Sequence, residues 1–183
     1  MTKRMGVGQF LAWDGGCLFI GRHDRQLPVH AHQAIQLVVA SEGDHRVRAS
    51  ESEEWATYSV AAIPTRHPHS LDVTASEYGA VVLLEPETRE GRAITERYLA
   101  GGITEVGNAE VRGITRAIFD RWLDGDKEGT VRMARDLVRA SQRKARLQVV
   151  KPAGHLCARR HRREHRQGGQ YDASQHAQHH WTH

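Results

Sequence analysis

Pro28-Val29-His30-Ala31-His32-Gln33-Ala34-Ile35-Gln36-Leu37-Val38-Val39 is the stretch whose reading decides the fold. In an extended chain alternate side chains share a face, so positions 30, 32, 34, 36 and 38 point one way. That face presents two imidazoles and a carboxamide, while Ile35, Leu37 and Val39 face the other way as core or cover. Further on, Pro64-Thr65-Arg66-His67-Pro68-His69 leads into Ser70-Leu71-Asp72-Val73. From a neighbouring strand, His69 can face the same interior.

Working outward, short runs rich in Val, Ile, Leu and Tyr predict strands at 17–22, 34–41, 44–49, 58–63, 69–74 and 78–84. Asp14-Gly15-Gly16, Glu42-Gly43-Asp44, Pro64 and Pro68 supply the turns between them. Many short strands at close spacing indicate a sandwich or barrel and not alternating βα units. After Pro86 the pattern changes to helix. Thr88 caps a helix that Gly101-Gly102 stops, and Asn108 caps a second, with Val111, Ile114, Ile118 and Trp122 at 3–4 spacing until Gly125. A third begins near Gly129, with Val131, Ala134, Leu137, Val138 and Leu147 on one side and Arg132, Arg135, Asp136, Arg139 and Arg143 on the other. The last two helices should pair as an antiparallel hairpin. The expected organisation is a β-barrel over 1–86, a helical region over 87–150 and a basic tail over 151–183.

The formal charge of +4 is misleading as an average. Residues 151–183 hold six basic and two acidic side chains, so residues 1–150, with 20 of each, are neutral. The basic excess therefore says nothing about nucleic-acid contact by the folded part. Residues 155–183 contain seven His and five Arg but one Leu and no Ile, Val, Met or Phe. Such a composition cannot offset its ordering entropy, so disorder is expected there. No apolar run reaches membrane-spanning length, and Met1–Gly6 leads into no apolar signal segment. Cys17 and Cys157 lie too far apart, in unlike segments, to read as a disulfide framework or a zinc spacing. A cytoplasmic protein is the expectation.

His30-x-His32, then Gln36, then Gly43 resembles the first cupin motif, with Gln where the family has Glu. Pro64-x-Arg66-x-x-His69 resembles the second, with Arg in place of its glycine and Val73 in place of its final Asn. The resemblance covers about residues 15–85 and implies a conical jelly-roll barrel. It also implies that His30, His32, Gln36 and His69 occupy the positions that hold a divalent metal in metal-binding cupins. Two readings stand for these four side chains. A His₃Gln site suits Fe, Ni, Mn or Zn chemically, yet exchanging a carboxylate for a carboxamide removes a negative charge and weakens such binding. The other reading is a metal-free ligand pocket, with no cofactor, whose polar groups bond one another or a small effector. Arg22 and Arg66 could attract an anionic ligand, His67 reads as a loop residue, and Trp13, Trp55 and Tyr58 read as barrel filling.

A barrel followed by Glu85-Pro86-Glu87-Thr88, then Gly91-Arg92-Ala93 and a helical hairpin, resembles the N-terminal half of AraC-type transcription regulators. That resemblance implies a small-molecule effector in the barrel and a homodimer formed through the hairpin, here on the stripe Val111, Ile114, Ile118 and Trp122. The alternative is that the hairpin packs only on its own barrel. DNA reading in that family needs about a hundred further residues of helix-turn-helix structure, and the 33 after Val150 carry no helical periodicity. The chain therefore reads as a truncated or frame-disrupted regulator, in which DNA is reached only through a missing or partner domain. The tail admits two sharper readings. His176, His179, His180 and His183 could bind a metal, and Arg159-Arg160-His161-Arg162-Arg163 could bind phosphates. In function, the expectation is a non-catalytic effector-sensing and dimerisation domain. The alternative is a metal-dependent cupin enzyme, a dioxygenase or isomerase.

Overall fold

The aliphatic run after the paired histidines forms β4 (Ile35–Ala40), buried at every position. A strand buried on both faces needs a layer on each side, and the chain supplies two. Gln36 and Val38 face a second sheet across a barrel interior, while Ile35, Leu37 and Val39 face helices.

The computed structural model describes residues 7–143. The other strands are β1 (Val7–Trp13), β2 (Gly16–Arg22), β3 (Leu27–His30), β5 (His45–Arg48), β6 (Ala56–Tyr58), β7 (Val60–Ile63), β8 (His69–Asp72), β9 (Gly79–Leu84) and β10 (Thr104–Glu105). They form a six-stranded sheet, β1-β2-β9-β4-β7-β10, and a four-stranded sheet, β3-β8-β5-β6, antiparallel throughout. Chain neighbours repeatedly land in opposite sheets, which is the double-stranded β-helix, or cupin-type jelly roll. Between the sheets, Val38, Ala61 and Ile63 of the larger meet Val47, Leu71 and Val73 of the smaller sheet and its continuation.

Three helices follow: α1 (Arg89–Tyr98), α2 (Ala109–Leu123) and α3 (Lys127–Gln142). Thr88 and Asn108 cap the first two as the sequence predicts, each accepting from a backbone N–H. Gly125, at φ +76, adopts the left-handed conformation that ends α2 and turns the chain. The third helix starts earlier than expected, because Asp126 caps it by accepting from Gly129 N. Replacing Asp126 with Ala should cost about 1 kcal/mol, read as a lower urea midpoint at unchanged slope.

The helices cover the outer face of the larger sheet. Ile94, Val111, Ile118, Phe119, Ala134, Leu137 and Val138 join Leu18, Ile20, Ile35, Leu37, Val39, Val82 and Leu84 in one buried cluster. The expected dimerisation stripe lies in and around this cluster. Val111 and Ile118 are fully buried within the chain, and Ile114 and Trp122 pack at the rim of the same cluster. Trp122 also donates from Nε1 to Gln9 Oε1 at 3.3 Å and meets the Tyr78 ring edge-on. The stripe packs on the protein's own barrel. For the same reason no break in packing falls at residue 86, and the described residues belong to one compact unit. Among the described residues, no helix is long and apolar enough to cross a membrane. The expectations for Leu147, Cys157, the arginine cluster, the four tail histidines and the disordered tail lie outside them.

Candidate ligand pocket

The chain enters the site on β3, a short edge strand containing Pro28, where a missing amide is tolerated. It does not continue as one strand to Gln36, as the parity argument assumed. Between Ala31 and Ala34 it turns out of the smaller sheet and enters the larger as β4. His30 and Gln36 therefore approach from opposite walls. His69, on β8, is the ladder partner of His30. The spacing identified residues that meet, though by a different route from the one it implied.

The turn before His69 stays close to the cupin pattern despite its substitution. Arg66 has φ +57, the left-handed region a glycine would take without cost. Its amide donates to His32 O at 2.7 Å, and its Nε donates to Gln33 Oε1 at 2.8 Å. These bonds tie the Ala31–Ala34 turn to the turn carrying His67, which is a loop residue as expected. Arg66 is thus engaged away from the cavity, and Arg22 pairs with Glu77 on the surface. Neither lines the pocket.

Hydrogen bonds fix the chemistry of the polar end. His69 is fully buried, and its Nδ1 lies 2.9 Å from His67 O. A carbonyl can only accept, so Nδ1 carries the proton and Nε2 offers a lone pair. Gln36, 1% exposed, reaches that Nε2 at 3.1 Å and must therefore present its amide nitrogen as donor. Burial holds His69 neutral, with its pKa lowered to about 4. His30 repeats the pattern half-buried, donating from Nδ1 to Pro28 O at 2.7 Å. The His30 ring centroid lies 4.4 Å from that of His69 and 5.0 Å from that of His32. His32 is exposed at the rim, 6.3 Å from His69. Partial burial and then the nearby His30 lower its pKa.

Behind these groups opens a cavity of about 440 Å³. Leu27, Leu71, Val81 and Leu83 form its walls, with Phe10, Phe19 and His23 on one side. Phe10 is 69% exposed and stacks at a tilt on Phe19, ring centroids 4.8 Å apart. Among the described residues, no Asp, Glu, Lys or Arg lines the cavity. A larger groove of about 660 Å³ lies outside the barrel, between the β4–β5 turn and α2. Its charged groups, Glu42, Asp44, Glu77 and Asp120 against Arg112 and Arg116, are all exposed and solvated, so the convergent chemistry belongs to the smaller cavity.

As arranged, the four candidate ligands do not fit a divalent metal. The set holds no carboxylate, the Nε2 lone pair of His69 is taken by Gln36, and no Asp or Glu among the described residues lines the cavity. Among the described residues no group of three His, Cys, Asp or Glu side chains is arranged to hold a metal ion. The aromatic expectations divide. Tyr58 packs against the barrel interior, Trp13 packs under the helices, and Trp55 lies between Arg46 and Arg48, 5.5 and 4.6 Å from its ring.

No family model matches the chain, and no curated protein does. Three solved structures each match less than half of the chain. An RmlC-like cupin from Desulfovibrio desulfuricans is 17% identical, with 45% of this chain and 84% of the other covered, at a TM-score of 0.36. An RmlC-like cupin-family protein with a double-stranded β-helix fold, from Methanocaldococcus jannaschii, is 12% identical over 46% of this chain and 85% of its own, at 0.34. A DMSP lyase from Ruegeria pomeroyi is 16% identical over 48% and 50%, at 0.38. Likeness at this level carries no argument about activity, and the fold assignment rests on the strand order itself.

Proposed function

We propose that the barrel is a non-catalytic small-molecule sensor, built like the effector-binding half of an AraC-type regulator. The observation that carries this reading is a mainly apolar cavity with no charged side chain among its described lining residues, whose His30 and Gln36 are already hydrogen-bonded to backbone and to His69. Such a lining recognises a ligand, and its described residues offer no carboxylate for chemistry on it. In this reading DNA is reached through a partner or a further domain, because the three described helices are all docked on the barrel. Pairing of two subunits, implied by the same resemblance, would draw on surface beyond Val111 and Ile118, which are buried within the chain. Light scattering across a concentration series reads that directly.

The second reading, a metal-dependent cupin enzyme, has one observation in its favour. His30 and His69 both anchor Nδ1 on a backbone carbonyl and so leave Nε2 as the ring's acceptor, as metal-ligating histidines do. Elemental analysis of the purified full chain separates the two. The sensor reading expects far less than one metal per chain and no rise in melting temperature when Fe, Ni, Mn or Zn is added. Stoichiometric metal that disappears in the His30→Ala/His69→Ala variant would overturn it.

A further inference from the structure

We infer that the pocket takes an uncharged, mainly apolar molecule carrying one hydrogen-bond-donating head, such as a phenol or an apolar alcohol. This rests on the sensor reading and narrows it to a ligand class. The head is set by the polarity of the unused atoms. Because Nδ1 of His30 donates to Pro28 O, its Nε2 is left in the neutral ring as an acceptor. Because Gln36 donates one amide N–H to His69, its Oε1 is left as an acceptor too, with no donor among the described residues reaching it. Two acceptors at the polar end call for a ligand that donates. A hydroxyl serves them and can also accept the second amide N–H of Gln36, whereas an ether oxygen only accepts and leaves both acceptors unserved.

The body is set by the walls. Leucine, valine and phenylalanine side chains surround the cavity, and among the described lining residues no charged group offsets the desolvation of an anion. A volume of about 440 Å³ lies toward the lower end of small-molecule sites, which run from about 300 to 1,000 Å³. The exposed ring of Phe10, stacked on Phe19 at the mouth, is apolar surface that such a body would cover. A carboxylate would meet no Arg or Lys among the described lining residues, and a monosaccharide has more hydroxyls than the four polar side chains described there can satisfy.

The test uses the full chain at pH 8 and four probes: 4-isopropylphenol, its methyl ether, 4-isopropylbenzoate and D-glucose. Calorimetry and thermal shift should show saturable binding of the phenol. The ether should bind about tenfold more weakly, the equivalent of one lost hydrogen bond. The benzoate and the sugar should not bind. In His30→Phe, which keeps a ring and deletes the acceptor, the preference for phenol over ether should shrink. If that variant does not fold, the phenol–ether contrast on the unmodified chain decides. Equal affinity for phenol and ether, or tighter binding of the benzoate or the sugar, overturns the inference while leaving a binding pocket in place. Binding of none of the four to a folded protein overturns the inference and counts against the sensor reading as well.

Discussion

Acidification from pH 7 to pH 4 should remove about 3 kcal/mol of folding stability through His45 alone. His45 is 1% exposed on β5, on the same side as the core residue Val47, beside the Tyr58 ring. Neither ring nitrogen has a hydrogen-bond partner among the described residues, and burial lowers its pKa from the ordinary 6.5 to about 4. The unfolded chain therefore binds a proton at His45 as pH falls through 6.5, while the folded chain resists until about pH 4. Across that window the unfolded state holds more protons, so stability falls with pH and is greatest above 6.5. His69, also lowered to about 4, adds to the loss in the same direction. Urea unfolding at a series of pH values measures the slope. Substituting His45 with Phe should raise stability at pH 7 by about 1 kcal/mol or more, since two buried groups no longer go unsatisfied. It should also flatten the slope by one proton. An unchanged slope in His45→Phe would refute the assignment.

His45 also shows where the sequence stopped speaking. Its strand was legible from residues 44–49, but a histidine after Gly43-Asp44 looks like one more solvent-edge residue. Only its parity with Val47 hinted at the interior, and parity cannot say which face is inside without the second sheet. The same limit governed the α2 stripe. Periodicity showed that Val111, Ile118 and Trp122 share an apolar face, yet a face covered by a sheet and one covered by another subunit have the same pattern. The barrel itself was legible because its strands are aliphatic and its turns carry Gly and Pro. β1 escaped notice because Gly8, Gln9 and Ala12 dilute its signal, and β3 because Pro28 breaks it. Those two strands bring Phe10, Leu27 and His30 to the cavity, so the histidines were readable while Phe10 and Leu27 of the apolar wall were not.

Gly91→Ala should be among the most damaging single-methyl changes, costing about 3 kcal/mol. Helix propensity alone predicts the opposite, because Ala is favoured over Gly inside a helix by about 1 kcal/mol. Geometry decides the sign. A Cβ on Gly91 would run into the Glu85 carbonyl oxygen and come within 2.9 Å of both Cα and O of Pro86. These are backbone atoms, and they cannot move aside, because the junction from β9 into α1 is hydrogen-bonded on all sides. Glu85 N donates to Gly15 O at 3.1 Å, Thr88 Oγ1 donates to Glu85 O at 2.7 Å, and Gly91 N donates to Thr88 Oγ1 at 3.0 Å. Relief would require α1 to lift, and α1 carries Ile94 into the cluster that backs β4. Since Gln36 lies on the other face of β4, the strain should reach the pocket as weaker ligand binding as well as a lower melting temperature. Gly113→Ala is the control. It lies within α2 with nothing within 4 Å of the added carbon, so propensity acts alone and stability should rise by about 0.5–1 kcal/mol. If both variants gain stability, the close approach at the junction is not rigid, and α1 is free to adjust without disturbing the sheet beneath it.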